Sequence, residues 1–213
     1  KAITNPDITT DFAESLPELI TPPLTTISAL QNHLLTLNRF VYDRLNQEIL
    51  WPFSMPPQIT EEKEVQIAQY GGSNIAQMKT VYRTGLSRRY GNAMQAIAGI
   101  HFNLSFPNEL FLALQTLQKN NDDFTSFRSQ SYMKLIRHFH CHAWLLPYLF
   151  GASPICFNTS VQSPTAYLKP FDENSQFAPW GTSLRMSDLG YQNNTQENLN
   201  IQYDNVKQYA ASL

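Results

Sequence analysis

Between Met94 and Phe106 the sequence alternates between apolar and mostly polar residues. The apolar set is Met94, Ala96, Ala98, Ile100, Phe102, Leu104 and Phe106, and the other set is Gln95, Ile97, Gly99, His101, Asn103 and Ser105. A period of two places successive side chains on opposite faces of an extended chain, so the pattern predicts a β-strand. The chain is therefore expected to contain a sheet whose apolar back is covered by helices.

The polar face of this predicted strand is the first candidate for a binding surface. Exposed strand faces usually carry Lys, Glu and Thr, whereas this one presents the uncharged residues Gln95, Asn103 and Ser105 beside His101. Such a face can form the floor of a ligand cleft. It can equally be turned to water, as one face of an antiparallel sheet often is. Both interpretations remain open from the residue types alone.

Helical spacing of apolar residues predicts most of the remaining architecture. The predicted helices are Thr26–Ile49, Ser73–Tyr90, Asn108–Lys119, Phe127–Leu149 and Tyr203–Leu213. Ile8–Thr21 is rich in Thr and Ile and is interrupted by Pro17, which predicts two short strands or a bulged edge. Prolines make Trp51–Pro57 an extended loop, and Gly151–Asn200 is expected to be mostly loop.

Composition excludes several classes of protein. The 213 residues include 15 Lys+Arg and 17 Asp+Glu, a balance that argues against a dedicated nucleic-acid binder. A hydrophobic content of 42% is too high for a disordered chain, and no run of about 18 apolar residues predicts a membrane span. Cys141 and Cys156 are too few for a disulfide scaffold and fit a reducing compartment. We expect a globular cytoplasmic protein.

Acidic residues near the start of the chain are candidate metal ligands. Asp11, Glu14 and Glu18 lie on the predicted strands, and carboxylate oxygens are natural ligands of Mg²⁺. Simple surface acidity is the alternative, and it is the commoner fate of an exposed carboxylate.

His138 and His142 stand at i and i+4 on a predicted helix, a spacing that can share a transition metal such as zinc. A second Cys/His cluster to complete four ligands is missing from the sequence. Packing of the histidines and of an inert Cys141 is therefore the favoured interpretation.

Arg185 lies in a glycine-containing stretch with Asp188 and Tyr191. A fixed guanidinium suits bidentate binding of a carboxylate or a phosphate, and the alternative is an Arg–Asp pair that only holds the loop. The standard Walker A, G-x-G-x-x-G and G-x-S-x-G motifs do not occur, so the common nucleotide cradles and nucleophile turns are absent from the sequence.

A series of short strings, in order along nearly the whole chain, resembles bacterial glutamate–cysteine ligases (γ-glutamylcysteine synthetases). The strings are Ile8–Glu14, Glu18–Pro22, Trp51–Pro56, Ala68–Gly71, Ser73–Asn74, Lys79–Arg83, Gly85–Leu86, Arg89–Gly91, Gly99–Ser105, Pro147–Pro154 and Thr182–Tyr191. The resemblance implies an α+β fold, part of a glutamine synthetase-like antiparallel sheet with helices packed on its back.

The resemblance also implies a reaction. Members of this family use ATP to join the γ-carboxylate of L-glutamate to the amine of L-cysteine through γ-glutamyl phosphate, the first step of glutathione biosynthesis. The implied cofactor is Mg²⁺, and the implied partners are glutamate, cysteine and ATP, with neither nucleic acid nor membrane. In such chemistry most of the catalysis comes from positioning and charge neutralisation.

Roles carry over to individual residues by the same resemblance. Asp11, Glu18 and His101 correspond to metal ligands. Arg185 is implied as the catalytic residue, which binds either the transferring phosphoryl group or the γ-carboxylate and stabilises charge in the transition state. Lys79 and Arg83 are implied to contact the nucleotide. The implied lining of the cysteine pocket is Phe12, Tyr82, Leu86, Gln95 and Tyr191.

Two family motifs are missing from the sequence: a leading G-x-E-x-E strand with central metal glutamates, and a later E-x-R strand. We therefore expect residues 1–213 to be a single partial catalytic domain that is inactive without the remaining segments of the ligase. Two alternatives stay open: the ligase half of a bifunctional glutathione-synthesising enzyme, and a truncated amino-acid-binding fragment without catalysis.

Overall fold

The computed structural model describes residues 5–160, 166–189 and 200–212. The helices are α1 (Ile27–Tyr42), α2 (Asn74–Tyr90), α3 (Asn92–Gln95), α4 (Asn108–Leu117), α5 (Phe124–His142), α6 (Leu145–Phe150) and α7 (Val206–Ser212). The strands are β1 (Ile8–Thr10), β2 (Pro17–Leu19), β3 (Ile155–Phe157), β4 (Lys169–Pro170) and β5 (Ser175–Phe177). Helices together with small antiparallel sheets confirm the predicted α+β class.

Contacts divide the chain into two compact units, which are described separately. The first unit comprises residues 1–99 and 152–191, and the second comprises residues 100–151 and 192–213. Among the described residues, no helix is both long enough and apolar enough to cross a membrane.

The first unit begins with the hairpin of β1 and β2. The strands pair antiparallel, with Thr9 opposite Glu18, which confirms the two short strands expected around Pro17. The hydroxyl of Thr10 donates to Tyr70 Oη at 2.8 Å, and Tyr70 Oη donates to the Thr10 carbonyl at 2.6 Å. This reciprocal pair holds the hairpin to the segment that precedes α2.

A second small sheet in the first unit has the strand order β3-β5-β4. Cys156 of β3 belongs to one apolar cluster, whose buried members are Met55, Ile97, Cys156, Leu168, Ala178 and Leu184. The tight connection from β4 to β5 forms because Asp172 accepts hydrogen bonds from the backbone of Asn174 and Ser175, both at 2.8 Å. The sheet lies inside Gly151–Asn200, and its strands are only two or three residues long, so the described part of this region is mostly loop, as expected.

The second unit packs α4 against α5. The rings of Phe111 and Tyr132 lie 4.9 Å apart between these helices, and the Tyr132 hydroxyl accepts a hydrogen bond from the backbone of Phe106 at 3.0 Å. Arg137 on α5 donates to the carbonyl groups of Tyr203 and Asp204, which precede α7. The second unit is thus a helical assembly.

The predicted helices differ from the observed ones mainly at their ends. α2 agrees closely, because Ser73 caps it by accepting a hydrogen bond from Ala76 N at 3.3 Å. α1 ends at Tyr42 rather than Ile49, since the chain tightens into shorter turns and Gln47 adopts a left-handed φ of 64°. α5 and α6 are separate, because Pro147 has no N–H and in one continuous helix its ring would clash with the carbonyl of Ala143.

The strand predicted at Met94–Phe106 is wrong. Residues 92–95 form α3, and residues 97–107, between α3 and α4, carry no strand. Side-chain exposure also departs from the alternation, since Gln95 on the predicted polar face is buried while Ile100 on the predicted apolar face is 97% exposed. A strand needs ladder hydrogen bonds to a neighbour, and no strand among the described residues pairs with this segment.

The histidine cluster of α5 lies on the surface. His138, His140, Cys141 and His142 are all exposed, so the expected packing of these residues is wrong. The zinc alternative also finds no support, because the described part of the chain contains no group of three or more His, Cys, Asp or Glu side chains placed to hold a metal ion.

The two cysteines should differ in reactivity. Cys156 is buried, and burial raises the pKa of its thiol, whereas Cys141 is exposed. Because the thiolate is the reactive form, we expect a chromogenic disulfide reagent to modify Cys141 rapidly and Cys156 only after denaturation. The number of protein thiols that react before and after denaturant is added checks this, and Cys141→Ser is the control. Rapid labelling of Cys156 in the native protein would contradict the burial.

Candidate functional site

The β1–β2 hairpin presents two exposed carboxylates. Glu18 pairs with Thr9, and the backbone N–H of Asp11 donates to the Leu16 carbonyl at 3.0 Å, which continues the same register one residue beyond β1. In an antiparallel pair, diagonal neighbours lie about 7–8 Å apart on the same face. The register therefore makes Asp11 and Glu18 diagonal neighbours, and two exposed carboxylates so placed can share a cation.

Arg83 on α2 holds this hairpin in place. Its Nε donates to the Asp11 carbonyl at 2.6 Å, and its Nη2 reaches the Thr10 carbonyl at 3.4 Å. The third nitrogen, Nη1, donates to the Lys79 carbonyl at 3.1 Å within α2. The guanidinium and the Lys79 ammonium both lie over the Tyr70 ring, at 5.1 and 4.9 Å from its centroid. Arg83 thus fixes the backbone of the residue that carries the first carboxylate.

Two of the side chains assigned to a cysteine pocket meet in one apolar cluster. Phe12 is buried with Ala13 and Val65, and Leu86 of α2 packs against them. Tyr82, one turn before Leu86 on the same helix, is exposed. Phe12 therefore forms part of the core behind the hairpin, and Leu86 joins that core to α2.

Gln95 occupies the end of the short helix α3. Its side chain is 7% exposed, and its Nε2 has no hydrogen-bond partner in the structure. Glu62 fixes the helix by accepting hydrogen bonds from the backbone N–H groups of Asn92 and Ala93. A buried amide donor without a partner carries a desolvation cost of about 1–3 kcal/mol, which a bound acceptor would relieve.

Arg185 lies in the 3₁₀ turn Leu184–Met186. Leu184 anchors this turn, because it is only 1% exposed and its backbone N–H donates to the Ser153 carbonyl at 2.9 Å. The guanidinium itself reaches back over another segment, with Nη1 at 3.4 Å from the Ile97 carbonyl oxygen. The backbone of Arg185 is thus fixed by the core while its charged end rests on residues 97–99.

Adjacent residues connect the hairpin with the arginine turn. Ala96 packs against the cluster that contains Phe12, and Ile97 belongs to the cluster that contains Leu184. The segment after α3 therefore lies between the elements that carry Asp11 and Arg185. Asp11 and Arg185 therefore lie in the same unit, and residues 96 and 97 link the two apolar clusters behind them.

Two predicted site residues lie outside the described part of the first unit. His101 is exposed and belongs to the second unit. Tyr191 lies outside the described residues. Within either unit, the described residues provide no group of three or more His, Cys, Asp or Glu side chains that could hold a metal ion. Asp11 and Glu18 can therefore supply only part of a metal shell from the first unit.

A cavity of about 250 Å³ next to the arginine turn was missed by the sequence reasoning. Its lining includes Tyr167, Trp180, Gly181 and Ser183, and Trp180 is 96% exposed. The signal that could have revealed it is the Pro-Trp-Gly string at 179–181, an aromatic residue in a sharp turn.

A family model described as glutamate-cysteine ligase matches residues 1–213. The chain belongs to the glutamate–cysteine ligase family. This membership confirms the resemblance found in the sequence strings.

Curated relatives support the assignment over the whole chain. Glutamate–cysteine ligase of Alcanivorax borkumensis is 46% identical over 213 residues, and that of Pseudomonas entomophila is 45% identical over 212 residues. In both cases the match covers 100% of this chain and 40% of the relative. The chain thus spans about 40% of the length of the glutamate–cysteine ligases it matches.

Solved structures of two relatives share the fold. A crystal structure of glutamate–cysteine ligase from Francisella tularensis in complex with AMP superposes with a TM-score of 0.87 at 42% identity, covering 97% of this chain and 40% of that one. A bifunctional glutathione synthetase from Pasteurella multocida superposes with a TM-score of 0.79 at 30% identity, covering 98% of this chain and 25% of that one.

Replacing Arg83 by Lys should loosen the hairpin of this ligase-family chain. Lysine has no planar fork, so it cannot bond the Asp11 and Thr10 carbonyls together, and we expect the free energy of unfolding to fall by about 1–2 kcal/mol. Urea denaturation measures the change, with Arg88→Lys on the exposed end of α2 as the matched control. Equal stability of the two variants would contradict the structural role of Arg83.

Proposed function

We propose that this chain is part of an ATP-dependent ligase that joins the γ-carboxylate of L-glutamate to the amine of L-cysteine. The observation that carries the proposal is the match of the whole chain to glutamate–cysteine ligases, at 46% identity to one relative and a TM-score of 0.87 to another. The product would enter glutathione biosynthesis as its first intermediate. Location in the cytoplasm remains the expectation drawn from the sequence.

The reaction places definite demands on charge. A γ-carboxylate oxygen of glutamate attacks the γ-phosphorus of ATP, ADP leaves, and an acyl phosphate forms. The cysteine amine then attacks the acyl carbon, phosphate leaves, and the amine loses a proton. Negative charge on the transferring phosphoryl oxygens must be balanced in the transition state by fixed cationic groups. Arg185 supplies such a group, since its turn is anchored by buried Leu184.

The metal proposal rests on the hairpin. Mg²⁺ in phosphoryl-transfer sites is commonly held by one or two carboxylates together with substrate phosphates and waters, and Asp11 with Glu18 fits that requirement. When bound, the ion would neutralise phosphate charge. His101 is proposed as a further ligand on the strength of the family resemblance alone.

Substrate and nucleotide contacts are proposed for the elements around the hairpin. The unpartnered Nε2 of buried Gln95 can donate to an acceptor on cysteine, with Phe12, Leu86, Tyr82 and Tyr191 as the rest of the pocket. Of the two cations assigned to the nucleotide, Lys79 keeps that role in the proposal. The nitrogens of Arg83 already face backbone carbonyls, so its contribution is to position Asp11.

The chain alone is expected to be inactive. It spans about 40% of the matched relatives, and its described residues group no three potential metal ligands, so charge at the phosphates would stay unbalanced. An assay of ADP release with glutamate, cysteine and Mg-ATP should give no cysteine-dependent signal for residues 1–213, while the full-length protein that contains them should give one. The matched control omits cysteine.

Two outcomes would overturn parts of this proposal. Cysteine-dependent ADP release by residues 1–213 would show that the site is complete in this chain. Absence of such release from the full-length protein would refute the ligase function, and calorimetric binding of cysteine without turnover would then favour the truncated amino-acid-binding alternative.

A bifunctional enzyme is the second candidate function, favoured by the similarity to the Pasteurella multocida protein at a TM-score of 0.79. An ATP-grasp domain encoded downstream of residue 213 would support it. The full-length protein would then also convert γ-glutamylcysteine and glycine to glutathione.

Arg185→Lys in the full-length ligase should lower kcat by about 100- to 1,000-fold, because a point charge replaces the planar donor aimed at developing phosphoryl charge. Steady-state kinetics should show a much smaller change in the KM for cysteine. Arg44→Lys is the control, because Arg44 is exposed and lies two residues after the end of α1. A large rise in KM at unchanged kcat would assign Arg185 to ground-state binding instead.

A further inference from the structure

Gly99 lies directly beneath the guanidinium of Arg185. A Cβ atom built on Gly99 would stand 2.3 Å from Arg185 Cζ, 2.5 Å from Nε and 2.7 Å from Nη1. Real Cβ atoms essentially never come that close to another heavy atom, so no residue with a side chain can stand at position 99 while the guanidinium keeps this place.

Backbone conformation does not explain the glycine. Among the described glycines, a positive φ occurs at Gly71 and Gly91 and not at Gly99. Gly72 and Gly85 of the first unit have free space around them, since a Cβ at either position would meet no heavy atom within 4 Å. The specific property of Gly99 is therefore the close approach of one cationic side chain.

We propose that Gly99 is a positioning residue for Arg185. The missing side chain leaves the space that the guanidinium occupies, and the Ile97 carbonyl, 3.4 Å from Nη1, fixes its direction. This inference rests on the proposed function, because the position of Arg185 matters for turnover only if Arg185 acts on the transferring phosphoryl group.

Distances give the size of the effect of adding a methyl group. Carbon atoms in contact prefer separations of about 3.5–4.0 Å, so a Cβ at 2.3 Å from Cζ would push the guanidinium back by about 1.2 Å or more. A misplacement of about 1 Å can cost a catalytic step about 100-fold. The displaced atoms are the far end of a long flexible side chain, while buried Leu184 keeps the backbone of the turn fixed. The change should therefore alter the position of the charge and leave the stability of the fold nearly unchanged.

The test compares Gly99→Ala with Gly72→Ala in the full-length ligase. For Gly99→Ala we expect kcat to fall by about 10- to 100-fold at a nearly constant KM for cysteine, with a melting temperature within about 2 °C of the wild type. Gly72→Ala, the same substitution in open space, should leave both quantities unchanged. The proposal would be overturned if Gly99→Ala had the same kcat as the wild type. It would also be overturned if the fall in kcat were explained by a lowered melting temperature.

A double-mutant cycle separates positioning from a general disturbance. If Gly99 acts through Arg185, then Gly99→Ala should have no further effect on the residual rate of Arg185→Ala. An equal loss in both backgrounds would show that Gly99 acts on something else and would overturn the proposal.

A structural measurement keeps the inference distinct from the function. The Nε–Hε NMR signal of Arg185 should shift in Gly99→Ala and stay unchanged in Gly72→Ala. A full-length protein without ligase activity would refute the proposed function, and an unshifted Arg185 signal in Gly99→Ala would by itself refute the close approach.

Discussion

Burial of Leu184 in the apolar cluster that also contains Ile97 is the interaction on which the arrangement in the first unit depends. The two residues belong to one apolar cluster, although 88 residues separate Ile97 from the neighbouring Arg185. Full burial of a leucine side chain contributes about 1.5–3 kcal/mol, enough to hold a short 3₁₀ turn that makes few hydrogen bonds of its own. Because this turn is fixed, the guanidinium beside it rests on a defined stretch of backbone.

Polar contacts organise the other side of the arrangement. Arg83 donates hydrogen bonds to the backbone carbonyls of Thr10 and Asp11, and Tyr70 both donates a hydrogen bond to Thr10 and accepts one from it. A hairpin of two three-residue strands would have little stability alone. Its attachment to α2 therefore determines where the carboxylates of Asp11 and Glu18 stand, and the arginine acts on the backbone that carries them.

Local sequence signals predicted the elements that depend on local physics. Ser73 and the apolar spacing behind it located α2, and Pro17 between Thr-rich segments located the hairpin. The candidate site was reached through family strings rather than through pattern. Those strings contained Gly99 and Arg185 as separate matches, and nothing in their spacing indicated that one covers the other, because that contact depends on the long-range packing of Leu184.

The sequence by itself determined the family, the helices with a cap and a clear apolar stripe, and the residue types on which the proposed phosphoryl chemistry relies. Tertiary structure alone decided that residues 97–107 carry no strand and that the guanidinium of Arg185 lies over Gly99. The reason is physical: caps and helical periodicity act within a few residues, whereas a β-ladder and a close approach need a partner that the sequence does not place nearby.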